Sequence, residues 1–218
     1  KIDNEDIDLK KMVNANAKIN NESFRIKLRV KGDRSLHYYD PLQTSYKIDV
    51  RGNKRIFGLE EFSIQKPITR NYVYEFMFHK LNSFVGNLSL NYKLINLYFN
   101  GDRRGIYAIE EGFGKELIER NSRRFGPIFG LNEIQSLFYP DVLYEAFSEN
   151  YWIANNEPLL RSAYSTLNNI KLGLNEINNN NFDLNSWAKY FAVMDLIGAH
   201  HGGLSKSVRL YFNPVNGK

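Results

Sequence analysis

The chain has 218 residues, enough for one large domain or two small lobes, and its 43% hydrophobic and 14% aromatic content can bury a sizeable core. A net charge of +5 and a pI of about 9.2 favour anionic ligands such as nucleotides or acidic proteins, but Asp and Glu are interleaved with Lys and Arg, so no nucleic-acid patch stands out. There is no cysteine, which excludes disulfides and cysteine-ligated metals, and no run approaches a membrane span, since the stretch from Phe191 to Ala199 is broken by Asp195.

Residues 1–23 read as a polar, loosely ordered lead-in, with Asp3-Asn4-Glu5-Asp6 and the Asn-rich stretch to Asn21. From Phe24 to Val30 the pattern alternates. Phe24, Ile26, Leu28 and Val30 face one way and Arg25, Lys27 and Arg29 the other, as in a half-buried strand. Tyr46 to Arg51 alternates likewise, with Lys47, Asp49 and Arg51 on the polar side. A turn at Gly52-Asn53 leads to Ile56–Leu59 and to a further strand from Phe62 to Gln65. Pro67 marks a boundary, and Thr69 is the expected N-cap of a helix from Arg70 to Phe84, whose apolar residues recur at three-and-four spacing. Two strands follow, Lys93–Phe99 and Gly105–Ile109, joined across Asn100-Gly101.

The remainder is expected to be mostly helical. Helices are predicted from Phe113 to Asn121, Pro140 to Asn150, Glu157 to Asn169 and Asn185 to Leu196, the last capped by Asp183. A strand is predicted from Val208 to Phe212, ahead of the turn Asn213-Pro214. A strand and turn with no return strand lead us to expect that the parent protein continues past Lys218. The fold class is therefore α+β. Residues 24–111 form a β-rich lobe with one packed helix, and residues 112–218 a mostly helical lobe that is incomplete at its C-terminal end.

Three segments carry a family resemblance. They are Arg29-Val30-Lys31-Gly32-Asp33-Arg34-Ser35, the strand Ser45-Tyr46-Lys47-Ile48-Asp49-Val50, and Asn100-Gly101 followed by Gly105-Ile106-Tyr107-Ala108-Ile109-Glu110-Glu111. Together they resemble the CotH (spore-coat protein H) kinase family, with its R-x-x-G-x-x-S element, strand lysine, helix, and N-G-x-x-x-G-x-Y-x-x-x-E. The resemblance implies a two-lobed, protein-kinase-like fold that uses ATP and Mg²⁺ to phosphorylate Ser or Thr of a surface or coat protein. It implies that Lys47 binds phosphates and that Glu75, on the next helix, orients it. Arg29, Gly32 and Ser35 would line the nucleotide lobe, and Glu110-Glu111 would mark the joint that holds adenine. Counting from Gly105 and Tyr107 favours Glu111, and both glutamates are carried. His201 would occupy the catalytic loop, near the position of the family's Asp, and Lys206 or Ser207 near that of its Asn.

Each residue also has a plainer reading. Lys47 suits the solvent face of an edge strand. Glu110-Glu111 suit an acidic pair complementing the next helix dipole. His200-His201 suit a loop bonded to backbone, and Arg120, Arg123 and Arg124 a solvated helix end. On those readings the chain is a non-catalytic, pseudokinase-like binding or structural module of a cell-surface assembly. The unmatched loop Asp and Asn favour that alternative. A nucleic-acid role rests on pI alone.

Overall fold

The computed structural model describes residues 11–31, 44–131, 144–204 and 207–218, without the side chain of His201. The chain divides into two compact units, Lys1–Met77 with Leu90–Gly112, and Phe78–Ser89 with Phe113–Lys218. The architecture is α+β, and among the described residues no helix is long and apolar enough to cross a membrane.

The first unit is built on a six-stranded antiparallel sheet. Its strands are β1 (Val13–Ile19), β2 (Glu22–Val30), β3 (Tyr46–Val50), β4 (Glu61–Gln65), β5 (Tyr92–Phe99) and β6 (Asp102–Glu111), in spatial order β1-β2-β3-β4-β6-β5. Period-two alternation sends Phe24, Ile26, Ile48, Val50, Phe62, Ile64, Tyr107 and Ile109 into one core, closed by Ile56 and Leu59. Ile56 and Leu59 bond to each other as a small bridge.

β1 corrects the reading of residues 1–23 as a loose lead-in. It pairs with β2 from Val13↔Leu28 to Ile19↔Glu22 and adds Ala15, Ala17 and Ile19 to the core edge. Its turn, Asn20-Asn21, has φ values of 47° and 67°, and the Asn100-Gly101 turn between β5 and β6 has 52° and 88°. Two successive positive φ values are what a two-residue hairpin turn requires, and Asn and Gly reach them most cheaply.

Between β4 and β5 lie a 3-10 turn, Pro67–Arg70, and helix α1 (Tyr74–Phe84). The predicted helix began at Arg70. Asn71 and Tyr72 instead take left-handed φ values of 51° and 61°, which end the first turn and force a restart at Tyr74. Thr69 is no cap for α1, because its hydroxyl donates to the Lys66 carbonyl at 2.7 Å. The division between units falls within α1, after Met77.

The second unit contains α2 (Lys115–Arg120), β7 (Ile128–Leu131), β8 (Tyr144–Ala146), α3 (Glu149–Lys171), α4 (Leu184–Leu196) and β9 (Arg209–Tyr211). Its three-stranded antiparallel sheet has the order β8-β7-β9. Phe129, Ala146, Trp152, Leu160, Ala163 and Phe212 form its core, where the Phe125 and Trp152 rings lie 4.7 Å apart. The predicted helix Pro140–Asn150 is not formed at Tyr144–Ala146, which is strand β8, and residues 140–143 lie outside the described residues. α3 is two helical segments across a kink at Asn156, where φ is −161° and ψ 66°. The Asn156 side chain accepts from the Leu159 amide at 3.2 Å and so caps the second segment, with Pro158 in its first turn, where a missing N–H costs nothing. That second segment is the predicted helix from Glu157. The first continues it backwards to Glu149.

Asp183 caps α4 as predicted, accepting from the Ser186 hydroxyl at 2.7 Å and the Ser186 amide at 3.1 Å. These two bonds hold its carboxyl below the usual aspartate value. A depressed folded value means that the stabilisation is complete above the ordinary aspartate pKa of about 3.9 and fades as pH falls through the lower folded value. Asp183→Ala is expected to cost about 1 kcal/mol at pH 7. Urea titrations across pH check this, and the gap between wild type and variant should close in acid.

Candidate functional site

The same alternation that fills the core of the first unit builds a polar opposite face. Lys27 and Arg29 of β2, Lys47 and Asp49 of β3, and Ser63 and Gln65 of β4 share it with Glu110 of β6. One row runs straight across the strands, from Arg29 to Lys47, Ser63, Glu110 and Tyr92. Lys31 follows β2 directly. Its amide bonds to the Ser45 carbonyl at 2.8 Å, which keeps its side chain on this face.

The central feature of the face is a polar network of Lys31, Gln65 and Glu110. The Lys31 ammonium donates to both Glu110 oxygens and to Gln65 Oε1, each at 3.3 Å. Gln65 Nε2 in turn donates to Glu110 Oε2. Gln65 is fully buried at 0% exposure, and the Lys31 and Glu110 side chains retain 22% and 13%. Burial at this level weakens water's screening of the pair. Tyr92 is buried on the same face. Its phenol is held well above its ordinary pKa, first by desolvation and then by the nearby carboxylates of Glu75 and Glu110. Glu75 has Arg70 Nε at 3.8 Å.

The residues singled out in the sequence are distributed as follows. Lys47 lies between two strands of the sheet, not on an edge, and its ammonium is 2.6 Å from Glu61 Oε1. The structure thus pairs Lys47 with Glu61 and Glu75 with Arg70, where the resemblance implies a Lys47–Glu75 pair. The cause is register: Glu61 lies opposite Asp49, one step diagonally from Lys47 on the adjoining strand. Arg29 is on the face, with one guanidinium nitrogen on the Val30 carbonyl at 3.1 Å. Gly32 and Ser35 lie outside the described residues.

Glu110 and Glu111 both end β6 and point to opposite sides, so neither is an acidic residue at a helix start. Glu110 joins Lys31 and Gln65. Glu111 is buried and accepts from the Asn91 amide at 2.7 Å, which fixes the start of β5. The Gly112–Gly114 joint then leads to α2. In the second unit, His201 has its backbone in the 3-10 turn His200–Gly203, and its side chain lies outside the described part. His200 is exposed, with Nδ1 3.7 Å from Asp195 Oδ1. Arg120 does more than cover a helix end, because it donates to the Ser89 carbonyl at 2.7 Å.

Sequence reasoning missed Lys31 and Gln65. Lys31 follows the alternating run of β2 at the same period as Lys27 and Arg29. Gln65 ends a strand at a position of its polar face, where a fully buried amide needs partners. Both signals were present in the spacing.

The chain matches no protein-family model, and no curated protein matches it. On this face Arg29 offers a planar fork and Lys31 and Lys47 offer point charges, the two ammonium groups being paired with Glu110 and Glu61. Among the described residues there is no group of three His, Asp or Glu placed for a metal ion. A nucleotide-borne Mg²⁺ is compatible with this, since it keeps several waters and phosphate oxygens and takes only one or two carboxylates.

Proposed function

We propose that the protein is an atypical, ATP-dependent protein kinase of the CotH type, transferring the γ-phosphoryl group to Ser or Thr of a surface or coat protein. On this reading the two units correspond to the two lobes of a protein-kinase-like fold. The supporting observation is the convergence of Arg29, Lys31 and Lys47 on one sheet face, beside Glu110 at the end of the strand that leads into the joint.

Phosphoryl transfer depends mainly on positioning and on countering charge over the phosphate oxygens. Lys47 and Arg29, direct cross-strand neighbours, would hold the phosphates. Mg²⁺, when bound with the nucleotide, would neutralise further phosphate charge. The acceptor hydroxyl oxygen bonds to the γ-phosphorus as the bond to the β–γ bridging oxygen breaks. ADP departs and the hydroxyl proton passes to a base. His201 is the candidate base, a neutral imidazole being able to accept that proton.

A second reading, a nucleotide-binding or structural module without turnover, is favoured by one observation: the Lys47 ammonium is already occupied by Glu61 at 2.6 Å. Calorimetry with Mg·ATP on wild type and Lys47→Ala, alongside a phosphotransfer assay on Ser/Thr acceptor proteins, separates the two. Loss of one charge-assisted phosphate contact is expected to weaken binding about 10- to 100-fold in Lys47→Ala. Binding with Mg²⁺-dependent transfer supports the kinase, and binding without transfer supports the second reading. Folded protein that ignores millimolar ATP would sink the nucleotide role and leave a surface binding or structural module.

A further inference from the structure

We infer that Lys31, which the resemblance assigns no role, is a second polyphosphate anchor of this face, held ready by Gln65 and Glu110. The inference deepens the nucleotide reading and rests on it.

Lys31 has three N–H donors and, among the described residues, two acceptor groups, one carboxylate and one carboxamide. Two equal 3.3 Å contacts to a single carboxylate are what one N–H bisecting its oxygens makes. Among the described residues one donor is therefore directed at neither group. Gln65 cannot turn away, because its other end is fixed to Glu110 and it is fully buried. Lys47 has a more exposed partner, Glu61 at 52% side-chain exposure against 13% for Glu110. Lys31 is thus the more enclosed of the two ammonium groups, though its partner is farther, at 3.3 Å against 2.6 Å for Lys47.

Position points the same way. Arg29 lies directly across from Lys47, so Lys31 is Lys47's diagonal neighbour, about 7–8 Å away on one face. The two residues therefore present their side chains on the same stretch of this face. Lys31 is itself the third residue of the R-x-x-G-x-x-S element that Arg29 opens. Holding three cations on one face in the absence of an anion is costly through like-charge repulsion. Glu110 beside Lys31 and Glu61 beside Lys47 offset part of that cost.

The test uses the full chain and two probes, Mg·ATP and inorganic tripolyphosphate, by calorimetry, with thermal unfolding as the control for folding. Lys31→Met alone leaves the mostly buried Glu110 carboxylate without its cation and endangers the fold. The informative pair is therefore Glu110→Gln and the double variant Lys31→Met/Glu110→Gln. Glu110→Gln keeps the ammonium and, in its amide oxygen, an acceptor for it, and so serves as the reference for the double variant. The double variant should unfold near the same temperature as Glu110→Gln and lose at least tenfold in tripolyphosphate affinity. Equal affinity in the two variants overturns the inference. If wild type binds tripolyphosphate in a Lys31-dependent way but gains nothing from adenosine, the nucleotide reading falls and the anchor stands. If wild type binds neither probe, both fall.

Discussion

Replacing Gly126 with alanine is expected to destabilise the second unit by about 3 kcal/mol or more, at the top of the range for overpacking. Gly126 is buried just before β7. A Cβ there would overlap the Phe212 carbonyl oxygen and stand 2.8 Å from Pro214 Cδ and 3.3 Å from Tyr211 Cε2. The backbone carbonyl and the proline ring cannot swing aside. The Phe212 amide is bonded to the Pro127 carbonyl at 2.9 Å, so the strand after the clash is pinned to the strand before it. Relief requires β9 to leave β7. Gly203→Ala provides a contrast, since its Cβ would press mainly on the flexible end of Met194. Both tryptophans, Trp152 and Trp187, lie in the second unit, so their fluorescence during urea denaturation reads that unit alone. An unchanged midpoint in Gly126→Ala would refute the packing described for β7 and β9.

Phe62→Ala is expected to cost about 3–5 kcal/mol in the first unit, the range for emptying a buried aromatic site. Phe62 sits in the middle strand of its core, opposite Ile48 on one side and Glu111 on the other. Its loss opens a cavity beneath the row that carries Lys47, Ser63 and Glu110, because adjacent residues on a strand serve opposite faces. Stability and polyphosphate binding should therefore fall together. Amide hydrogen exchange in β2, β3, β4 and β6 measures the first and calorimetry the second. Full protection in the variant would contradict the assignment of Phe62 to the core. Lost protection with intact affinity would contradict the placing of the binding face on this sheet.

Much of the sheet was legible because its strands alternate cleanly. Phe24 to Val30 and Tyr46 to Val50 each give the period of two without interruption. β1 escaped because its inward residues, Ala15, Ala17 and Ile19, are mostly small and lie among Asn and Lys. The Asn20-Asn21 turn was the available signal, of the same kind as the Asn100-Gly101 turn that was read correctly. In α1 the periodic apolar residues misled. Tyr72, Val73 and Met77 are exposed, and the helix buries His79 and Asn82 instead. Asn82 bonds to the Phe78 carbonyl and receives the Asn87 amide, so polar partners stand in for apolar packing.

The candidate site was legible by position and not by pairing. Arg29, Lys47 and Glu110 do share a face. Which cation meets which carboxylate depends on cross-strand register, and one chain read alone carries little information on register. Lys47 found Glu61 on the next strand, and Glu110 found Lys31 from far upstream.

The order β1-β2-β3-β4-β6-β5 also bears on how the first unit assembles. At either end of the sheet the chain reverses through two residues, and closing so short a loop costs little entropy. The pairing of β4 with β6 differs. Before Gln65 can meet Ala108, everything from Lys66 to Tyr107 has to be gathered in, α1 and the β5–β6 hairpin included. Non-local pairing of this kind is the slow part of building a sheet. It is also the pairing that brings Glu110 to Gln65 and Lys31, so the polar network depends on the most non-local seam of the sheet.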